Sequence, residues 1–121
     1  MCHAGASWVQ DNILQSHPRT DVAVFVVWFP VLAGDDRSAW DPSVLPDPRV
    51  TDFWDGDGIV SSWYQNNVVH TSGIVWDAYF LYGPRARWRA TPGRALSAEG
   101  PVDYHTGELE AAMRPFLASS R

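Results

Sequence analysis

The chain has 121 residues, of which 45% are apolar and 19% are charged, as expected of one globular domain spanning residues 1–121. Its net charge of −5 argues against nucleic acid as the main partner, because that role needs a basic face. All nine basic residues are arginines, which excludes a lysine-dependent phosphate loop and a Schiff-base lysine.

The first predicted elements are a helix and a buried strand. Apolar residues recur on one face of a helix over residues 4–16, which His17-Pro18 ends. Residues 21–29 read DVAVFVVWF, an apolar run without polar alternation that predicts a strand covered on both faces in a parallel sheet. This run is too short to cross a bilayer, so we expect no membrane span.

A loop, two short elements and a second apolar strand are predicted next. Residues 30–48 are punctuated by Gly, Asp and Pro and form a predicted surface loop. A short strand is predicted over residues 50–55 and, after an Asp-Gly cap signal, a helix over residues 59–66. The second long apolar strand covers residues 74–82, with the sequence IVWDAYFLY.

Arginines alternate with apolar residues after this strand. The period of two over residues 85–90 predicts an edge strand with Arg85, Arg87 and Arg89 toward water and Trp88 inward. The arginines around Trp88 could also grip an anion or a nucleic-acid strand. The acidic total charge favours the solvated edge strand.

The chain closes with a predicted loop over residues 91–101 and a final helix. Asp103 or Thr106 is the expected cap of that helix, and Pro115 should end or bend its last turn. Four apolar residues share its predicted inner face: Leu109, Ala112, Met113 and Phe116. Alternation of helices and strands along the chain predicts an α/β layered domain.

Four stretches of the chain together resemble the thioredoxin-like superfamily, in particular its thiol–disulfide oxidoreductase and peroxiredoxin-like branch. They are CHAGASWVQ from Cys2, VFVVWFPVLAGDDR from Val24, DPRVTDFWDGDG from Asp47 and WDAYFLYGP from Trp76. The resemblance implies a three-layer sandwich with a central mixed sheet. It implies no cofactor, and a protein or a small thiol or disulfide as the partner.

The family's active site is C-x-x-C, whereas this chain has one cysteine. Cys2 resembles the second, resolving cysteine, in which case the nucleophile would lie three residues upstream; if it is the first, its partner position holds Gly5. Either way the dithiol is missing, so we expect no dithiol activity, with Cys2 as a resolving or sole thiol. A thiol–disulfide oxidoreductase is expected only if an upstream cysteine exists.

Two other departures concern the fold. Residues 70–75 offer no proline where the family places a cis-proline. The strand that the family inserts between the strands matching residues 22–29 and 74–82 is also lacking. We therefore expect that the native product begins further upstream or that these two strands pair directly. As written the chain is expected to be cytoplasmic, and periplasmic or secreted if its N-terminus is incomplete.

Candidate site residues cluster around Cys2 in this interpretation. A helix start and the neighbouring His3 both favour a thiolate, whereas the missing partner sulfur favours the alternative that Cys2 is an inert, exposed leftover of the resolving position. Two tryptophans, Trp8 and Trp40, are candidates for lining a groove beside it. Asp36 and Arg37 form a candidate substrate rim.

Asp77 interrupts an apolar strand. It is either a proton acceptor near the thiol or a structural acid paired with an arginine such as Arg37. The four histidines have no i,i+4 spacing, so no metal site is assigned.

Two further functions stay open. The first is a redox-inactive module that binds a protein or peptide between the first helix and residues 30–48, and the second, less favoured, is a thiol peroxidase.

Overall fold

The computed structural model describes residues 3–30, 41–70 and 73–117, which form a mixed α/β fold. The helices are α1 (Ala4–Val9), α2 (Ile59–Tyr64) and α3 (Thr106–Met113), and the strands are β1 (Val24–Trp28), β2 (Val50–Trp54), β3 (Tyr79–Leu81) and β4 (Ser97–Glu99). π-Helical turns, Gln10–Leu14 and Gln65–Val69, extend α1 and α2. Single 3-10 turns cover Pro42–Val44, Val102–Tyr104 and Arg114–Phe116. None of these helices is long and apolar enough to span a membrane.

Strands β1 and β2 pair in parallel, with Val24 opposite Val50 and Trp28 opposite Trp54. Their inner face packs on the core, but on the outer face the Phe25 side chain is 69% exposed and the Phe53 side chain is 49% exposed. The prediction that the first strand is covered on both faces is therefore wrong. An apolar run shows that a strand has two apolar faces, but it does not determine whether other residues of the chain cover both of them.

The core lies where the end of the first helix meets the parallel strands and α3. Its buried members are Ile13, Leu14, Trp28, Leu45, Leu109 and Met113. Leu14 has no exposed surface at all. Burying a leucine of this kind contributes roughly 1.5–3 kcal/mol, so the turn that carries it is fixed by the core.

Strands β3 and β4 form a separate antiparallel pair, in which Tyr79 lies opposite Glu99. The predicted strand over residues 74–82 is shorter in the structure because Asp77 has a left-handed backbone with φ +49°, which extended chain does not adopt. Within the described residues, β1 hydrogen-bonds only to β2 and β3 only to β4. Direct pairing of the two apolar strands is therefore wrong. The Gly100–Pro101 peptide bond is cis and follows β4.

The arginine-rich segment is a surface loop, so the edge strand predicted over residues 85–90 is wrong. Trp88 is 60% exposed instead of pointing inward. The partner of β3 is instead β4, which falls in the segment predicted as loop.

The final helix begins at Thr106 with His105 in the capping position, so the prediction that Asp103 or Thr106 caps it is wrong, and the cap forms no side-chain hydrogen bond. Leu109 and Met113 are buried, whereas Phe116 is 42% exposed. Pro115 lies in the 3-10 turn that follows the helix, which confirms that the last turn changes there.

Arg49 joins the first helix to the parallel sheet. Its guanidinium donates to the carbonyls of Leu14, His17 and Thr20 at 2.8–3.0 Å, and to both carboxylate oxygens of Asp47 at 2.8–2.9 Å. This contact satisfies carbonyls that the end of a helix leaves without intrahelical donors. The planar fork of arginine suits several acceptors at once, which lysine cannot match.

Replacing Arg49 with alanine should lower the free energy of unfolding by roughly 2–4 kcal/mol, because it leaves carbonyls and a carboxylate without their donor. Arg114→Ala is the matched control, since Arg114 is exposed and faces only Glu110 at 4.0 Å. That change should cost less than about 1 kcal/mol. Urea unfolding of both variants measures the difference, and equal losses would contradict the structural role of Arg49.

Asp47 should make stability depend on acid pH. The Arg49 hydrogen bond lowers the pKa of its carboxyl to about 2. Because the folded pKa lies below the unfolded one, this stabilisation is complete above about pH 4 and is lost as the pH falls toward 2. Thermal unfolding from pH 2 to 6 should show the wild type and Asp47→Asn converging at low pH. A constant gap between them would exclude this linkage.

Candidate functional site

The start of α1 lies beside the carboxyl end of β1. The ring of His3, which precedes the first helical residue, meets the ring of Trp28 edge-on, with centroids 5.5 Å apart and planes at 69°. Trp28 is the last residue of β1 and is buried. Sites in open α/β sheets form at the carboxyl ends of parallel strands, and a helix start meets that edge here.

Trp28 is held in place from the neighbouring strand. Its indole Nε1 donates to Oδ1 of Asp52 in β2 at 2.8 Å, and its carbonyl accepts the N–H of Asp55 at 2.8 Å. Both ends of the tryptophan are thus fixed by β2 and the residue that follows it. The Trp28 ring on which His3 packs is therefore held in one orientation.

One ring nitrogen of His3 lacks a hydrogen-bond partner within the described residues. This atom, Nε2, is buried. Asp41 lies within electrostatic range of the ring: hydrogen bonds from the Ser43 hydroxyl and N–H lower the pKa of the Asp41 carboxyl, and His3 adds a smaller effect of the same sign.

Close packing of α1 on the second half of the chain fixes the direction of the helix. Gly5 is buried against Val102, so near that a Cβ at Gly5 would lie 2.5 Å from the Val102 Cβ. The Val102 N–H in turn donates to the Asp77 carbonyl at 3.0 Å. Asp77 is therefore linked to α1 by way of Val102, whose N–H bonds to Asp77 and whose side chain packs on Gly5.

The predicted site residues divide into two groups. His3, Trp8 and Asp77 lie in the described part of the chain, while Cys2, Asp36, Arg37 and Trp40 lie outside it. Trp8 is half-buried and packs against the core cluster. The pairing of Asp77 with Arg37 and the substrate rim at Asp36 and Arg37 stay predictions.

Sequence reasoning missed an open apolar cavity between the end of α2 and the β3–β4 pair. Its volume is about 790 Å³, and Arg94 and Glu99 are its charged lining residues. The apolar lining is Val68, Val69, Ile74, Val75, Trp76, Ala78, Phe80, Ala95, Ala98 and Pro101. No local pattern signals this cavity, because its walls come from three separate segments, residues 68–69, 74–80 and 93–101.

A second, smaller cavity of about 300 Å³ opens between α2 and the arginine-rich loop. It is lined by Ile59, Val60, Trp63, Tyr64 and Trp88, and we call it the tryptophan slot. The rings of Trp63 and Trp88 stack with centroids 5.1 Å apart and planes at 28°. The exposed position of Trp88 follows from this stack.

Comparisons with family models, with curated proteins and with solved structures found no significant match to this chain. The chemistry of the site is therefore inferred from its own residues. Unpaired N–H groups at a helix start stabilise an anion. No group of three or more His, Cys, Asp or Glu side chains that could hold a metal occurs among the described residues.

Gly5→Ala should move or destabilise α1, because the new methyl group would overlap Val102. We expect a loss of roughly 1–3 kcal/mol in the free energy of unfolding, typical of overpacking. Gly107→Ala in α3 is the control, since nothing lies within 4 Å of its added Cβ. Alanine there should be neutral or stabilising by up to about 1 kcal/mol. Chemical denaturation measures both, and a neutral Gly5→Ala would refute the close contact.

Proposed function

We propose that this protein is a thioredoxin-like domain related to thiol–disulfide oxidoreductases, in which Cys2 acts as a single reactive thiol. In this role Cys2 forms mixed disulfides with a protein or a small disulfide. Without a second cysteine in the chain, an external thiol must release the product.

The observation that carries the proposal is the contact between His3 and Trp28. It sets the start of α1 at the carboxyl edge of the parallel strands. Cys2 directly precedes His3 in the sequence. A thiol next to a helix start and an imidazole has two sources of thiolate stabilisation, the helix dipole and a neighbouring proton carrier.

The order of elements gives secondary support. A helix, a parallel strand pair, a second helix, an antiparallel strand pair and a final helix follow one another along the chain. A mixed sheet with helices around it is what the thioredoxin-like resemblance implies. The three-layer arrangement itself, with one continuous central sheet, belongs to the proposal.

The proposed reaction is one exchange step. The Cys2 thiolate attacks one sulfur of a disulfide R–S–S–R, the S–S bond of the substrate breaks, and a Cys2–S–S–R bond forms. The leaving thiolate R–S⁻ takes a proton from water or from the His3 imidazolium. No electrons enter or leave, since one disulfide is replaced by another.

A redox-inactive binding module is the second candidate function. The open cavity of about 790 Å³ with its largely apolar lining favours it, since such a volume suits a ligand or a peptide side chain. The groove expected between the first helix and residues 30–48 falls largely outside the described residues. Binding that persists in Cys2→Ser would identify this function.

Thiol reactivity tests the leading proposal. Cys2 should react with 5,5′-dithiobis(2-nitrobenzoic acid) at pH 7 severalfold faster than an ordinary exposed thiol, because a lowered pKa increases the thiolate fraction more than it reduces the nucleophilicity of the thiolate. The control is Cys2→Ser combined with Ser16→Cys, which moves the thiol to the exposed far end of the same helical segment. The dipole disfavours a thiolate there.

Rates of alkylation by iodoacetamide across pH 5–10 complete this test. The pH at which Cys2 reaches half of its maximal rate should lie below about 8.5, the ordinary pKa of a free thiol. It should also lie below the corresponding pH for the cysteine at position 16. Equal midpoints and equal rates for the two thiols would disprove the proposed reactivity.

A further inference from the structure

Basic charge in this acidic protein is concentrated in the loop that contributes Trp88 to the tryptophan slot. Residues 78–98 hold four of the nine arginines, Arg85, Arg87, Arg89 and Arg94, and no acidic residue. We call residues 85–94 the arginine loop. Its four arginines are all exposed, and none forms an ion pair within the described residues. Unpaired charges gathered on one loop provide a local positive field.

The slot next to this loop presents apolar surface to solvent. Ile59 is 66% exposed, Val60 is 37% exposed and Trp88 is 60% exposed. The exposed ring of this stacked tryptophan pair can still be buried by a partner. Burial of aromatic surface contributes strongly to the free energy of binding. Trp and Arg are also the residues that most often carry binding energy in protein interfaces.

The tyrosine hydroxyl at the slot and the start of α2 already have hydrogen-bond partners. The Tyr64 hydroxyl shares a hydrogen bond with the Tyr82 hydroxyl at 3.4 Å, and burial raises the pKa of Tyr82, which keeps it neutral. The Asp55 carboxylate caps α2 by accepting the N–H groups of Ile59 and Val60. The slot therefore offers mainly shape and apolar contact.

We propose that the tryptophan slot and the arginine loop form a docking surface for an acidic protein segment. The segment inserts one leucine- or phenylalanine-sized side chain between Trp63 and Trp88 on one side and Ile59 and Val60 on the other. Its flanking carboxylates pair with the loop arginines. This docking is separate from the thiol chemistry and does not require Cys2.

An acidic peptide suits this surface better than single-stranded nucleic acid. Nucleic-acid recognition would need open aromatic faces and groups that hydrogen-bond to base edges, and the slot is half aliphatic with its tyrosine hydroxyl occupied. The net charge of −5 also repels a long polyphosphate more than a short peptide with a few carboxylates.

The test uses two blocked pentapeptides, Asp-Glu-Leu-Glu-Asp and Asp-Glu-Ala-Glu-Asp, and the oligonucleotide dT12. Tryptophan indole N–H signals are followed by NMR during titration, and the Trp88 signal is assigned by its absence in Trp88→Ala. The leucine peptide should shift the Trp88 signal with a Kd below about 1 mM. It should bind at least five times more tightly than the alanine peptide.

Surface variants assign the binding to its residues, with calorimetry as the readout. Trp88→Ala and the double variant Arg87→Gln, Arg89→Gln should each weaken binding at least fivefold. Phe25→Ala, which removes an equally exposed aromatic ring, and Arg114→Gln should change it less than twofold. Cys2→Ser should bind as the wild type does, so a failure of the thiol proposal leaves this result unaffected.

Three outcomes would overturn the proposal. The first is no binding of the leucine peptide up to 5 mM, and the second is equal affinity for the leucine and alanine peptides. The third is tighter binding of dT12, which would make the surface a nucleic-acid site. Added salt at 0.5 M should weaken peptide binding severalfold, because the arginine contacts are exposed and screened.

Discussion

The guanidinium of Arg49 donates to three carbonyls at the end of the first helix and in the turn after it, while Asp47 balances its charge. Those carbonyls are 29 to 35 residues away in the sequence. The contact therefore closes a long loop, and it does so just before β2 begins. Leu14 is buried at the same place, so polar and apolar interactions fix one junction.

With its far end fixed at this junction, α1 has little freedom at its start. Gly5 allows close approach to Val102, and His3 then meets Trp28. A helix held at both ends presents its first N–H groups in a constant direction, which an anion-stabilising site requires. The position of the candidate site is thus a consequence of main-chain hydrogen bonding at the opposite end of the helix.

The elements with local signals could be predicted from the sequence, and those held by tertiary contacts could not. Helical periodicity near residues 4–14 and 59–69 is a property of the segments themselves. β4 is different: Ser97–Glu99 has weak strand propensity and exists through its pairing with β3. The edge strand predicted over residues 85–90 failed for the opposite reason, since the local pattern was present but the tertiary contacts were not. Besides Trp88, its inward residues would be alanines, which bury too little apolar area to hold a strand. In the site, the helix start at His3 was predictable, but its partner Trp28 was not.

The first helical segment contacts the parallel strands at both ends, through His3 and Leu14, and contacts Val102, whose N–H donates to the Asp77 carbonyl just before β3. It therefore joins two strand pairs that, within the described residues, share no strand. Native-state hydrogen exchange reports such units as separate groups of amides with different opening free energies. The five-residue parallel strands around the buried core should exchange through global unfolding. The three-residue strands β3 and β4 should exchange through a partial unfolding of lower free energy. In this opening the start of α1 detaches from Val102, so that the amides of β3, β4 and the start of α1 exchange together.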